Sequence, residues 1–224
     1  MTAVAHVVEV ALPAGAQPIP LDLDLPADAW ATIAVTHGAG AGRTHPFLTG
    51  FARGMWAAGV GTALFDLPYR AAGRRMPGPA AHAVAAWAAV MAHLDAADTP
   101  GRRWACGKSY GGRMASVAAA EGAIAPAGLV YLGYPLHPPG RPEAPRVAHL
   151  PAVTAAQLFL SGTRDPFVDP HVQLEDAVAS CPDAVLEWVE GGDHSFDVAG
   201  RRRPADEVGE ALAASAAAFL RSRA

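Results

Sequence analysis

Trp104-Ala105-Cys106-Gly107-Lys108-Ser109-Tyr110-Gly111-Gly112 runs from a short apolar segment into a stretch of helical character, 110 to 121, with a G-x-S-x-G pattern at the junction. A serine held on a sharp strand-to-helix turn projects its hydroxyl away from the backbone, and small neighbours are needed because strand and helix approach closely there. Gly107, Gly111 and Gly112 supply that space. A helix that starts directly after Ser109 also points unpaired N–H groups and a partial positive charge at the hydroxyl. Ser109 is therefore the candidate nucleophile.

Gly-Lys-Ser also ends a phosphate-binding loop, but G-x-x-x-x-G-K-S would need glycine where Arg102 stands. Gly38, Gly40 and Gly42 do not complete G-x-G-x-x-G either, because Arg43 and His45 occupy the positions that would close it.

On both sides of the turn the chain alternates. Thr32-Ile33-Ala34-Val35-Thr36, Thr62-Ala63-Leu64-Phe65, Leu129-Val130-Tyr131-Leu132 and Leu158-Phe159-Leu160 are continuous apolar runs like Trp104-Ala105-Cys106, suited to strands buried on both faces of a parallel sheet. Helical stretches near 46–58, 79–97, 110–121, 170–180 and 204–222 separate them. Such an order predicts an α/β fold, doubly wound with right-handed crossovers, whose ligands gather beyond the carboxyl ends of the strands. Ahead of it, Val8, Val10 and Leu12, then Leu21, Leu23 and Leu25, alternate with period two and predict an antiparallel N-terminal hairpin. Residues 135–153 are Pro-rich and are expected to form a long loop. The length of 224 residues fits one domain over 1–224.

A serine hydroxyl needs a base within hydrogen-bond reach. Of nine histidines, His194 follows the last strand-like run, Val185-Leu186-Glu187-Trp188-Val189, in a Gly-rich turn before the C-terminal helix. Asp165, directly after Leu158-Phe159-Leu160, is the carboxylate placed to orient the imidazole and stabilise the imidazolium. Asp169 and Asp193 are its rivals. Asp169 reads as a helix N-cap before Pro170, and Asp193 adjoins the histidine in a turn that does not let the two side chains face each other. In Thr36-His37-Gly38-Ala39-Gly40-Ala41-Gly42, the backbone N–H of Ala39 is expected to join that of Tyr110 as an oxyanion hole.

Composition narrows the partners. With 51% hydrophobic and 17% charged residues and a net charge of −4, the chain has neither the signature of disorder nor of a nucleic-acid binder. Cys106 and Cys181 have no metal-ligand or disulfide spacing, so neither a metal site nor a cofactor is expected. A cytoplasmic location without membrane association follows from that cysteine usage, the lack of a basic leader and the shortness of the Ala-rich stretch 80–94.

Taken in order, His37-Gly38-Ala39-Gly40, Gly107-Lys108-Ser109-Tyr110-Gly111-Gly112, Ser161-Gly162-Thr163-Arg164-Asp165 and Gly192-Asp193-His194 resemble the α/β-hydrolase superfamily across nearly the full chain. Leu67-Pro68-Tyr69, the segment 134–140 and Gly162-Thr163-Arg164-Asp165 look like its compact branch related to dienelactone hydrolases and testis-expressed hydrolase-like proteins. The resemblance implies a mostly parallel sheet of about seven or eight strands, no cap domain, and a metal-free serine hydrolase cleaving an ester or related acyl bond in a small molecule. It leaves open thioester or peptide cleavage, and a catalytically idle fold serving as a protein-interaction module. Dienelactone hydrolases carry cysteine where this chain has Ser109, so their lactone substrate does not carry over. Arg43, Arg70, Arg74 and Arg75 lie in loops at the same edge, either drawing in an anionic substrate or simply solvated.

Overall fold

The computed structural model describes residues 2–223. One eight-stranded sheet organises the chain, in the order β1-β2-β4-β3-β5-β6-β7-β8. β1 (Val4–Leu12) and β2 (Gly15–Asp24) form the expected hairpin, and β2 joins the sheet by antiparallel pairing with β4 (Val60–Phe65). β3 (Ala31–Thr36), β5 (Arg102–Lys108), β6 (Gly128–Leu132), β7 (Ala156–Gly162) and β8 (Ala184–Val189) complete it in parallel with β4.

The apolar runs divide by residue parity. Ile33, Val35, Trp104, Cys106, Val130, Leu132, Leu158 and Leu160 point to one face, where α1 (Pro46–Ala57) and α6 (Ala205–Ser222) bury Phe47, Phe51, Met55, Leu212 and Leu220 against them. Ala34, Ala105, Leu129, Tyr131 and Phe159 point to the other, under α3 (Ala80–Ala96), α4 (Tyr110–Ala120) and α5 (Val172–Ala179). Burial on both faces explains why these strands read as continuous apolar segments rather than alternating ones. α1 and α6 pack almost backbone to backbone. A Cβ on Gly209 would strike the carbonyl of Phe47, so only glycine lets the two helices come this close.

Residues 135–153 contain only a single 3₁₀ turn, Leu150–Ala152, and among the described residues no helical cap covers the carboxyl edge of the sheet. The loop is held down from beneath: Tyr134 donates to the carbonyl of Arg146 at 3.0 Å, and His149 Nε2 lies 2.7 Å from Ser116 Oγ on α4. Two local expectations need correction. Asp169 does not cap α5, which begins at Val172 with His171 at its N-cap position, so Pro170 lies in the preceding turn instead of at the first helical position. A four-residue helix, α2 (Pro68–Ala71), stands where only a Leu-Pro-Tyr motif had been read, because one turn is too short to show a helical period.

Candidate active site

Ser109 adopts φ 49° and ψ −116°, in the left-handed region that non-glycine residues seldom occupy. Holding a serine there costs about 1–3 kcal/mol, and close packing on both sides maintains it. A Cβ on Gly112 would lie 2.6 Å from the carbonyl oxygen of Gly107, and one on Gly111 would lie 2.5 Å from that of His37. The Ser109 N–H donates to Leu132 on β6 at 3.0 Å, fixing the turn to the sheet edge.

The side chains of Ser109, His194 and Asp165 converge at that edge from the ends of three different strands. Ser109 Oγ lies 2.8 Å from His194 Nε2, and His194 Nδ1 lies 2.7 Å from Asp165 Oδ2. The second oxygen of Asp165 accepts the N–H of Phe167 at 2.8 Å, and its carboxylate is fully enclosed. With Oδ2 left for the imidazole, Nδ1 carries the hydrogen and Nε2 faces the serine as an acceptor. Burial lowers the pKa of His194; the hydrogen bond it donates to Asp165 opposes that shift, and Lys108 adds to it.

Asp193 is committed elsewhere. One of its oxygens accepts the N–H groups of Ser195 at 2.7 Å and Asp197 at 3.0 Å, folding the turn that presents His194. That turn is tied to the loop bearing Asp165: Arg164 N–H donates to Gly192 at 2.8 Å, and Gly191 N–H donates to Thr163 Oγ1 at 2.8 Å.

The segment after β3 makes a tight turn, with Gly40 at φ +81° and Ala41 N–H donating to the Gly38 carbonyl. That bond leaves the N–H of Ala39 unused by the turn. Gly38 abuts Ser109, since a Cβ there would stand 3.3 Å from that of Ser109. Tyr110 occupies the first position of α4, where its N–H has no intrahelical acceptor.

His37 is fully buried beneath this turn. Its Nε2 accepts the N–H of Leu67 at 3.1 Å and its Nδ1 lies 2.9 Å from the Gly38 carbonyl, to which Tyr69 also donates at 3.2 Å. Burial lowers its pKa, so the ring is neutral and its 3.5 Å approach to Asp66 is not an ion pair. The sequence alone marks His37 only as part of the glycine turn. The one available signal was the Leu67-Pro68-Tyr69 motif, whose backbone and hydroxyl the histidine and its neighbour engage.

Of the four loop arginines, Arg43 is consumed by Asp22 at 2.8 Å and Asp66 at 3.0 Å, while Arg70, Arg74 and Arg75 are exposed. Arg74 lines a separate cavity with Gln17, Tyr69 and His82. Beside Ser109 and His194 opens a cavity of about 490 Å³, walled by Phe47, Leu48, Phe167 and Ala39 and edged by His45, Lys108 and Arg203. Among the described residues no cluster of three or more His, Cys, Asp or Glu side chains is placed to hold a metal ion, and no helix is long and apolar enough to cross a membrane.

A sheet of this order, with a serine turn after its fifth strand and an acid and a histidine after the seventh and eighth, defines a hydrolase architecture. The profile of the alpha/beta hydrolase domain matches residues 29–221, and the chain belongs to that family. Among solved structures it is similar to a dienelactone hydrolase from Anabaena variabilis, at 22% identity over 99% of both chains and a TM-score of 0.74. It is also similar to a lidless α/β serine hydrolase from Xanthomonas campestris, at 19% identity, 99% of this chain, 96% of the other and a TM-score of 0.72. Est1E from Butyrivibrio proteoclasticus shares 12% identity over 97% of this chain and 98% of its own, with a TM-score of 0.73. At such identities the likeness concerns the fold. No curated protein matches the chain.

Proposed function

We propose that this chain is a serine hydrolase that cleaves an ester or related acyl bond of a small molecule through an acyl-Ser109 intermediate. The observation that carries the reading is the pair of hydrogen bonds running from Asp165 through His194 to Ser109, at 2.7 and 2.8 Å. His194 Nε2 takes the hydroxyl proton as Ser109 Oγ adds to the acyl carbon. The resulting oxyanion is met by the N–H groups of Ala39 and Tyr110, each contributing about 10²-fold to 10³-fold in rate. The imidazolium returns its proton to the leaving group; a water activated by the same nitrogen then releases the acid and restores Ser109. Asp165 stays ionised and keeps the proton on Nδ1 throughout.

No cofactor takes part in these steps. The acyl portion fits the cavity beside Ser109, and the lack of a cap favours short or extended acyl groups over long lipid chains. We further read residues 1–224 as one domain working in the cytoplasm, a reading supported by the single continuous sheet and the two free cysteines.

A fluorophosphonate tests the chemistry directly. Ser109 is expected to be labelled, with labelling lost in His194→Ala, and Ser109→Ala is expected to lower turnover of a short p-nitrophenyl ester by several orders of magnitude, on the order of 10⁶-fold at the upper limit. Wild-type turnover by Ser109→Ala would exclude the mechanism, and absence of labelling in the intact protein would favour an idle fold.

A further inference from the structure

Lys108, the residue before the nucleophile, has no part in the chemistry just described. Its ammonium donates a 2.6 Å hydrogen bond to the main-chain carbonyl of His194, 86 positions along the chain. The rings of Phe196 and Phe47 lie 5.6 and 6.0 Å from the same nitrogen, and Phe196 itself is buried with φ 65° in the turn after His194. Across from it, Gly133 leaves the space open: a Cβ there would stand 3.1 Å from Lys108 Nζ and 3.5 Å from His194 Cε1. The nucleophile's own strand thus reaches across the site and grips the backbone of the base.

Building on the acyl-serine reading, we propose that Lys108 is a positioning residue that clamps the His194 turn in line with Ser109 and sets a buried positive charge beside the imidazole. The charged groups around that imidazole are Asp165 from the end of β7, Lys108 from the end of β5 and Asp193 from its own turn. His45 at the start of α1 and Arg203 ahead of α6 line the same cavity. Lys108 is pushed down to about 8 by burial, against the pull of Asp165 and Asp193, so it carries its proton at neutral pH. Its charge lowers the pKa of His194 and of His45. Removing that charge makes the imidazolium easier to form, so a larger share of the base is protonated in mildly acidic solution.

The test is the rate of fluorophosphonate attack on Ser109 between about pH 5 and pH 8, a range that brackets histidine titration. Lys108→Met is expected to react about 10-fold more slowly near pH 7, where Lys108 of the wild type still carries its proton, through lost alignment. Its acid limb is expected to lie at higher pH than that of the wild type. Lys108→Arg, which keeps the charge, is expected to retain the wild-type limb. Lys108→Gln keeps an N–H donor without the charge; if the methionine variant does not fold, this variant carries the comparison, with its limb expected to move the same way. A charge-free variant whose limb stays at the wild-type position overturns the proposal, whether or not its rate falls. A wild type that is not labelled at any pH overturns the acyl-serine reading instead, so the two failures are distinct.

Discussion

The ring of Phe167 lies over the imidazole of His194, centroid to centroid 4.2 Å and inclined by 32°. Burial is the largest influence holding this histidine below its ordinary pKa, and Phe167 covers one of its faces. In the proposed mechanism His194 acts as base only when neutral, so activity is expected to fall as pH drops through that pKa. Phe167→Ala admits water to the ring and lets the pKa rise toward that of a free histidine. The acid limb of kcat/KM for a p-nitrophenyl ester is therefore expected at higher pH than in the wild type, and a pH–rate profile of both proteins checks this.

Asp165→Asn isolates the orienting role proposed for the carboxylate. An asparagine placed here keeps its carbonyl toward the Phe167 N–H and turns its amide toward Nδ1. That nitrogen must then accept, which moves the proton to Nε2 and leaves Ser109 without a base. A loss of about 10⁴-fold in kcat is expected with the fold intact, as the wrong tautomer produces in a serine protease. Steady-state kinetics alongside circular dichroism measure the two separately.

Stability has its own pH dependence, set where His149 meets Ser116 on α4. His149 is pushed down to about 4, chiefly by burial and then by Arg113. A histidine whose folded pKa is depressed binds fewer protons folded than unfolded, so stability falls with acidification. The loss begins near the ordinary value of 6.5 and continues to about 4. Thermal melts across that window are expected to show a falling Tm, with a shallower decline in His149→Gln, whose amide can still bond Ser116 and cannot take up a proton.

His37→Ala leaves the enclosed Leu67 N–H without its acceptor, whereas the Gly38 carbonyl keeps the hydrogen bond from Tyr69. Leaving that one group unpaired costs about 1–3 kcal/mol, read as a lower denaturation midpoint. Because the same turn presents Ala39 to the acyl oxygen, the proposed chemistry also predicts a fall in kcat greater than the change in KM.

The framework was legible in the sequence wherever burial repeats along the chain. Apolar runs such as Leu129-Val130-Tyr131-Leu132 are what a strand covered on both faces requires, and Val8, Val10 and Leu12 show the alternation of a strand covered on one. The placement of Ser109, Asp165 and His194 at one edge of the sheet was readable because each comes after such a run, and the structure brings the three side chains within hydrogen-bond reach. Contacts between distant segments left no periodic trace. Nothing in Arg43 announces Asp22 and Asp66 as partners, and nothing in Lys108 points to a carbonyl 86 residues away. Asp169 shows the opposite failure: an Asp-Pro pair satisfies the local rule for a helix start, yet the chain spends two more residues in a turn before α5 begins.

The bare rim left by residues 135–153 bears on how such an enzyme would behave in bulk solution. With no flap to swing aside, acyl donor and released acid exchange by diffusion alone, and an oil–water boundary offers no conformational trigger. Velocity should then saturate with dissolved substrate and show no jump where the substrate begins to form micelles.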